Sequence, residues 1–136
     1  MRFTIPIEPK PQKRDRITAR GGFVRSYKDT KQAKYETQIA CMLEQHRPEK
    51  PLEGALELRV ICYLPIPKSK TKKFKAAAIA GEERPTGKPD CDNMLKNIED
   101  IMEGIFYRND SQIVTGIVCK YYSDCPRWEI TLNTVD

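Results

Sequence analysis

Lys88-Pro89-Asp90-Cys91-Asp92-Asn93-Met94-Leu95-Lys96-Asn97-Ile98-Glu99-Asp100-Ile101-Met102-Glu103-Gly104 is the stretch from which the rest of this chain can be read. It gathers acidic side chains into a short span of an otherwise basic protein. Pro89 disfavours helix for the residue before it, so the chain is expected to arrive extended. A helix then starts near Asp90 or Asp92, with an aspartate as N-cap. Met94, Leu95, Ile98, Ile101, Met102 and Ile105 recur at the i, i+3, i+4, i+7 spacing of one apolar helical face. Asp92, Asn93, Lys96 and Asp100 fall on the opposite side. Gly104 is the expected stop.

Asp90 and Asp92 flank a single residue, so their carboxylates can converge at the helix entrance. A short loop, Phe106 to Gln112, leads from the helix into a β-like run. If helix and strand pack back to back, Asp110 can return to the mouth that holds Asp90 and Asp92. Three carboxylates meeting there suit Mg²⁺, which takes oxygen ligands from a few carboxylates, water and substrate phosphate. The plainer use of Asp at such a position is capping and interaction with the helix dipole. One cap needs one Asp, so the second is the informative one. An EF-hand is excluded: Met94 stands where a third oxygen ligand belongs, and neither the glycine nor the closing Glu falls in place. Lys96, one turn after Asp92, can offset phosphate charge. Its plainer use is an i, i+4 ion pair with Asp92 or Asp100, worth about 0.2–0.5 kcal/mol. Asp100 reads as a structural partner of Lys96 rather than a ligand, and Cys91 is expected to point away from the aspartates.

The pattern Lys88-Pro-Asp-Cys-Asp-Asn-Met-Leu-Lys-Asn, followed by Tyr107-Arg-Asn-Asp-Ser-Gln-Ile-Val, resembles the signature of the RusA family of Holliday-junction resolvases. Both halves are present, in order and at the family's separation. Size and layout agree over most of the chain, although the motif itself spans only residues 88–114. The resemblance implies a Mg²⁺-dependent endonuclease that cuts four-way DNA junctions as a homodimer, in bacteria or their prophages. It implies Asp90, Asp92 and Asp110 as metal ligands and a functional role for Lys96. It implies nothing for the Lys/Ala-rich stretch before the motif.

The composition is compatible with this. A chain of 136 residues accommodates one domain with a modest core, here taken as 1–136. The N-terminus Met1-Arg-Phe-Thr-Ile-Pro lacks the apolar core of a signal peptide, and no apolar run reaches membrane-span length, so a cytoplasmic protein without membrane contact is expected. Five cysteines form no C-x-x-C pair, and the single histidine, His46, is remote from them, so free thiols are expected rather than zinc. Net charge is +5, made of +10 over residues 1–89 and −5 over residues 90–136. A basic front and a compact acidic pocket suit an enzyme acting on a polyanion. An ordinary solvated surface would account for most of these charges equally well.

In order, residues 2–7 alternate as a strand, with Pro6 marking an edge position or an end. A Pro-rich loop carrying Lys10, Lys13, Arg14 and Arg16 leads to a hairpin turning at Gly21-Gly22. This is an arm for DNA phosphates or a solvated loop, and the composition favours neither. Asp29 is the expected N-cap of a helix to about Gln45, with Ala33, Tyr35, Ile39, Ala40, Met42 and Leu43 inward and His46 at its end. Gly54–Leu64 is a strand with Leu56, Leu58, Val60, Cys62 and Leu64 on one face. Ile61 and Tyr63, on the other, require some cover. A short helix near 70–80 begins with the densest basic cluster, in which Lys68, Lys70, Lys72 and Lys73, with Lys88 beyond, are read as further DNA contacts. Residues 112–122 form a strand expected to be covered on both faces. A last strand, marked by Trp128, Ile130 and Leu132, is expected to pair antiparallel with it. The fold class is α/β (α+β): one mixed sheet with helices mainly on one side. Two further functions suit the same residues: a non-catalytic branched-DNA-binding protein, and a Mg²⁺-dependent nuclease for flaps or other branched DNA.

Overall fold

The computed structural model describes residues 1–11, 16–20, 23–27 and 30–135, with the backbone alone for 16–20 and 23–27. The elements are β1 (Arg2–Ile5), β2 (Arg16–Arg20), β3 (Phe23–Tyr27), α1 (Thr30–Glu44), β4 (Leu56–Pro65), α2 (Lys72–Ile79), α3 (Cys91–Met102), a 3₁₀ turn at Asp110–Gln112, β5 (Ile113–Ser123) and β6 (Arg127–Thr134). β2 and β3 pair as the expected hairpin, Arg20 opposite Phe23. The Gly21-Gly22 turn, Lys13, Arg14 and the Asp29 cap lie outside the described residues.

Alternation organises the sheet. Leu56, Leu58, Val60, Cys62 and Leu64 of β4 are all buried on one face. β6 lies antiparallel beside β4 and matches it row for row: Leu58 opposite Leu132, Val60 opposite Ile130, Cys62 opposite Trp128. β1 extends the same rows with Phe3 opposite Ile130 and Ile5 opposite Trp128. β5 lies parallel to β4 on its other side, so the order is β1-β6-β4-β5 in a mixed sheet. This corrects the expected β5–β6 pairing. Trp128, Ile130 and Leu132 gain apolar neighbours on both sides between β1 and β4. Beside β5 the corresponding rows would offer Gly116, Val118 and Lys120, only one of them a large apolar side chain. Pro65 ends β4, and the short connection after Ser123 passes across that end.

All three helices lie on the face carrying these rows. Tyr35 of α1 accepts from Trp128 Nε1 at 3.1 Å. Phe74 of α2 meets Tyr122 edge-on with ring centroids 5.8 Å apart. Leu95 of α3 lies over Gly116, where an added Cβ would come within 3.0 Å of Leu95 Cδ2. Glycine there lets helix and strand approach closely. On α1 the buried stripe is Gln32, Tyr35, Ile39 and Leu43; Ala33 is only half-buried. Gln32 can occupy an inward position because its Nε2 donates to Glu36 Oε1 at 3.1 Å. His46 ends the helix region by stacking on Phe3, centroids 4.8 Å apart.

β5 is not covered on both faces along its length, a second correction: Val114, Thr115, Gly116 and Ile117 are all exposed, while Val118–Ser123 are half-buried. Its first half lies at the edge of the sheet, where the helix layer reaches it only through Leu95 over Gly116. The cover required over Tyr63 is cationic. Arg127 sits 3.8 Å above the Tyr63 ring, and Arg84 sits 3.9 Å above Tyr121, which stacks against Tyr63. Among the described residues no helix is long and apolar enough to cross a membrane.

Candidate metal and nucleic-acid site

The motif forms the expected helix. Met94, Ile98 and Met102 are fully buried and Ile105 nearly so, while Leu95 and Ile101 pack at the margin. Asp90 is the N-cap by backbone conformation (φ −77°, ψ 148°), yet its side chain makes no capping hydrogen bond. Its carboxylate is exposed and unused by the helix. Asp92 is exposed in the first turn, its Oδ1 accepting from the Asn93 amide at 2.9 Å. Cys91 is half-buried and lies near the buried Cys62. Burial pushes the Cys62 thiol up to about 12, with the nearby Cys91 and Cys119 adding to the effect. The Lys88–Pro89 peptide is cis.

Two devices fix the surrounding loops. Lys120 of β5 donates from Nζ to the carbonyls of Gly87 and Pro89, both at 2.8 Å. It thereby holds the segment that delivers Asp90 against the sheet. Asp110 is set by a capping box: Asn109 Oδ1 accepts from the Ser111 amide at 2.9 Å, and Gln112 Oε1 accepts from the amides of Arg108 and Asn109. Gln112 Nε2 also donates to the carbonyls of Leu52 and Gly54, locking this turn to the approach of β4. The preceding Phe106 and Tyr107 are fully buried, and Tyr107 donates to the Glu99 carbonyl at 2.7 Å.

Asp110 is thereby carried to the polar face of α3. Lys96 Nζ donates to Asp100 at 2.9 Å and to Asp110 at 3.3 Å. These two carboxylates, Asp100 first, hold the Lys96 ammonium above its usual range. The i, i+4 pair with Asp100 is therefore formed, and Lys96 also ties the loop aspartate to the helix. Among the described residues, the acidic group with oxygens all within 4.8 Å of one another is Asp100, Glu103 and Asp110. Asp90 and Asp92 are not drawn into a group of three with Asp110 at that spacing. At 1.5 Å per residue, Asp92 stands about 12 Å before Asp100 along the helix, with Lys96 midway. Glu99, beside this cluster, has its carboxyl raised mainly by partial burial and then by Asp110.

The donors fit a hard cation: they are carboxylate oxygens, concentrated enough to repel one another. Asp90, Asn93, Pro11, Lys88 and Pro89 line an open cleft of about 440 Å³ at the helix entrance. Of the basic residues read as DNA contacts, Lys88 is thus at the site. Lys10 lies near it through its backbone, whose carbonyl accepts from Asn97 Nδ2 at 2.7 Å, while its ammonium sits 5.4 Å from the Tyr35 ring centroid. Lys68, Lys70, Lys72 and Lys73 are exposed at the start of α2, Lys70 over Phe74 at 4.9 Å. The side chain of Arg16 is not described.

Sequence reading missed Gln112, Lys120 and Asn97. The Asn109-x-x-Gln112 spacing carries a readable capping signal. Lys120 carries none, because its partners lie some thirty residues away. Asn97 could have been noticed as a polar residue one position from the buried Ile98, although its partner, the Lys10 carbonyl, is equally remote.

The profile of a family described as "Endodeoxyribonuclease RusA" matches residues 6–133. The chain is also 38% identical over 137 residues to a Bacillus subtilis (strain 168) protein called "Uncharacterized protein YqaN", covering 99% of this chain and 96% of that one. The matched span contains the aspartate-led helix, the capped Asp110 turn and the sheet that carries both, and by it the chain belongs to the RusA family of endodeoxyribonucleases.

Proposed function

We propose that this chain is a Mg²⁺-dependent endonuclease that resolves Holliday junctions by paired symmetric cleavage, acting as a homodimer in the cytoplasm and encoded by a bacterium or its prophage. Asp90, Asp92 and Asp110 are the proposed metal ligands, and Lys96 faces the phosphate. The observation that carries this reading is the state of the carboxylates: Asp90 occupies a cap without using its side chain, and Asp110 is held to the same helix by Lys96. A cap that makes no capping bond contributes little to the helix through its side chain. When bound, Mg²⁺ would activate a water and neutralise charge growing on the phosphate. Asp90, Asp92 and Asp110 would hold the ion, and Lys96, which contacts Asp110 at 3.3 Å, lies close enough to the site to meet a phosphate oxygen. Lys88 and the lysines leading into α2 bind the DNA backbone, with shape and phosphate contacts supplying much of the affinity.

The test is a synthetic four-way junction incubated with the protein, with and without Mg²⁺. Paired symmetric nicks that need Mg²⁺ are expected. Binding without cutting would favour a non-catalytic junction binder, and cutting of flaps alone would favour a nuclease for other branched DNA. Asp92→Asn is expected to lower cleavage by at least about a hundredfold, because a ligand to the ion contributes several kcal/mol to the transition state. Junction binding should be nearly intact. Wild-type turnover by that variant would refute the ligand assignment.

A further inference from the structure

The fold gathers prolines from three separate stretches into one place. Six of the chain's ten prolines, Pro9, Pro11, Pro65, Pro67, Pro85 and Pro89, line a single groove of about 360 Å³. Leu64 of β4 and Tyr122 of β5 complete its apolar lining. Pro11, Lys88 and Pro89 also line the cleft that holds Asp90 and Asn93, so groove and cleft adjoin. At its other end the groove shares Pro65 with a hollow of about 310 Å³ bordered by Lys68 and Lys75. The walls are fixed from behind. Tyr35 donates to the Glu8 carbonyl at 2.7 Å and Asn97 Nδ2 to the Lys10 carbonyl at 2.7 Å, both from buried side chains. Lys120 holds the carbonyls of Gly87 and Pro89. A groove tied to the core in this way exists before a ligand arrives.

We propose that this groove receives one unpaired nucleobase of the DNA, next to the phosphate bound at the Asp90 cleft. Proline has no backbone N–H, so these walls offer ring C–H surface rather than donors, which suits a flat, uncharged group. Tyr122 adds an aromatic surface of the kind on which bases stack. The charges agree with a base in the middle and phosphates at the ends. Glu8, in the lining, repels a phosphate from the groove, whereas Lys88 at one end and Lys68 and Lys75 at the other attract one. Taking a base out of the stack costs least where pairing is already broken, as at the branch point of a junction. The identity of the ligand as DNA rests on the nuclease reading.

The test irradiates the full chain on a four-way junction in EDTA, with 5-iododeoxyuridine placed in turn at successive positions around the branch point. Mass spectrometry should find a cross-link to Tyr122 or its neighbours in the groove from a branch-point position, and none from paired positions in the arms. Two variants fill the groove from different walls. Gly87→Trp adds a side chain where a Cβ meets nothing within 4 Å, and Pro67→Trp adds one at an exposed position. Both should keep the circular dichroism of the wild type. Each should lose the cross-link and bind the junction about tenfold more weakly, the loss expected for one stacked base. The absence of any cross-link inside the groove, a cross-link that survives both variants, or unchanged affinity in both overturns the proposal. No strand is cut in this assay, which keeps the two readings apart. A groove cross-link from a junction that the protein then fails to cleave in Mg²⁺ sinks the resolvase reading and leaves the groove standing.

Discussion

The two faces of α3 are built on different physics. Its inner face, Met94, Ile98 and Met102, has no exposure and joins the core beneath the sheet. Its outer face carries Lys96 and Asp100 with 55% and 30% of their side-chain surface in solvent. Burying a large aliphatic side chain stabilises by about 1.5–3 kcal/mol, whereas an exposed ion pair contributes about 0–1 kcal/mol. The helix is therefore held by one face, which leaves the other available for chemistry at little cost in stability. Asn97 is the exception on the inner side. It is fully buried and tethers the Lys10 carbonyl, and among the described residues its Oδ1 has no partner. It joins the basic N-terminal segment to the site helix.

The largest expected effect tests the inner face. Ile98→Ala should lower stability by about 2–5 kcal/mol in urea unfolding; a loss below about 1 kcal/mol would mean that the core does not hold this helix as described. Next comes the support behind the entrance. Lys120→Met leaves the carbonyls of Gly87 and Pro89 without their charged donor and should cost about 1–3 kcal/mol. It should also raise the Mg²⁺ concentration needed for half-maximal cleavage, because the segment bearing Asp90 loosens. An unchanged Mg²⁺ requirement would remove Lys120 from the site's support.

Smaller effects sharpen the outer face. Asp100→Asn should change stability by no more than about 0.5 kcal/mol and leave cleavage standing where Asp92→Asn abolishes it. Equal loss in both variants would move the metal site towards Asp100, Glu103 and Asp110. The smallest effect concerns protons. The Cys62 thiol, pushed up to about 12 by burial from 9.0, stays protonated in the folded chain while the unfolded chain ionises. Burial likewise raises the Tyr35 hydroxyl from 10.0 to about 12. Unfolding then releases protons in this range, so stability should fall as pH rises above about 9. At mildly alkaline pH, iodoacetamide should label the exposed Cys41 and Cys125 well before Cys62, as read by mass spectrometry. Prompt labelling of Cys62 would show that the core face opens.

Much of this was legible along the chain because it is local. Strict alternation marked β4, helical spacing marked α3, and the left-handed Gly104 (φ +86°) ended that helix at the expected place. The aspartate motif also exposed the family. Neighbourhood across the sheet was not legible. β6 follows β5 in sequence but inserts between β1 and β4, because burying Trp128, Ile130 and Leu132 depends on which rows lie on both sides. The same holds for Asp110, whose position is decided by the Asn109–Gln112 box, its anchor at Leu52 and Gly54, and the Lys96 ammonium. Period is a property of a few consecutive residues and can be read from them; pairing, burial and the meeting of charges depend on groups far apart in the chain, which only the folded molecule brings together.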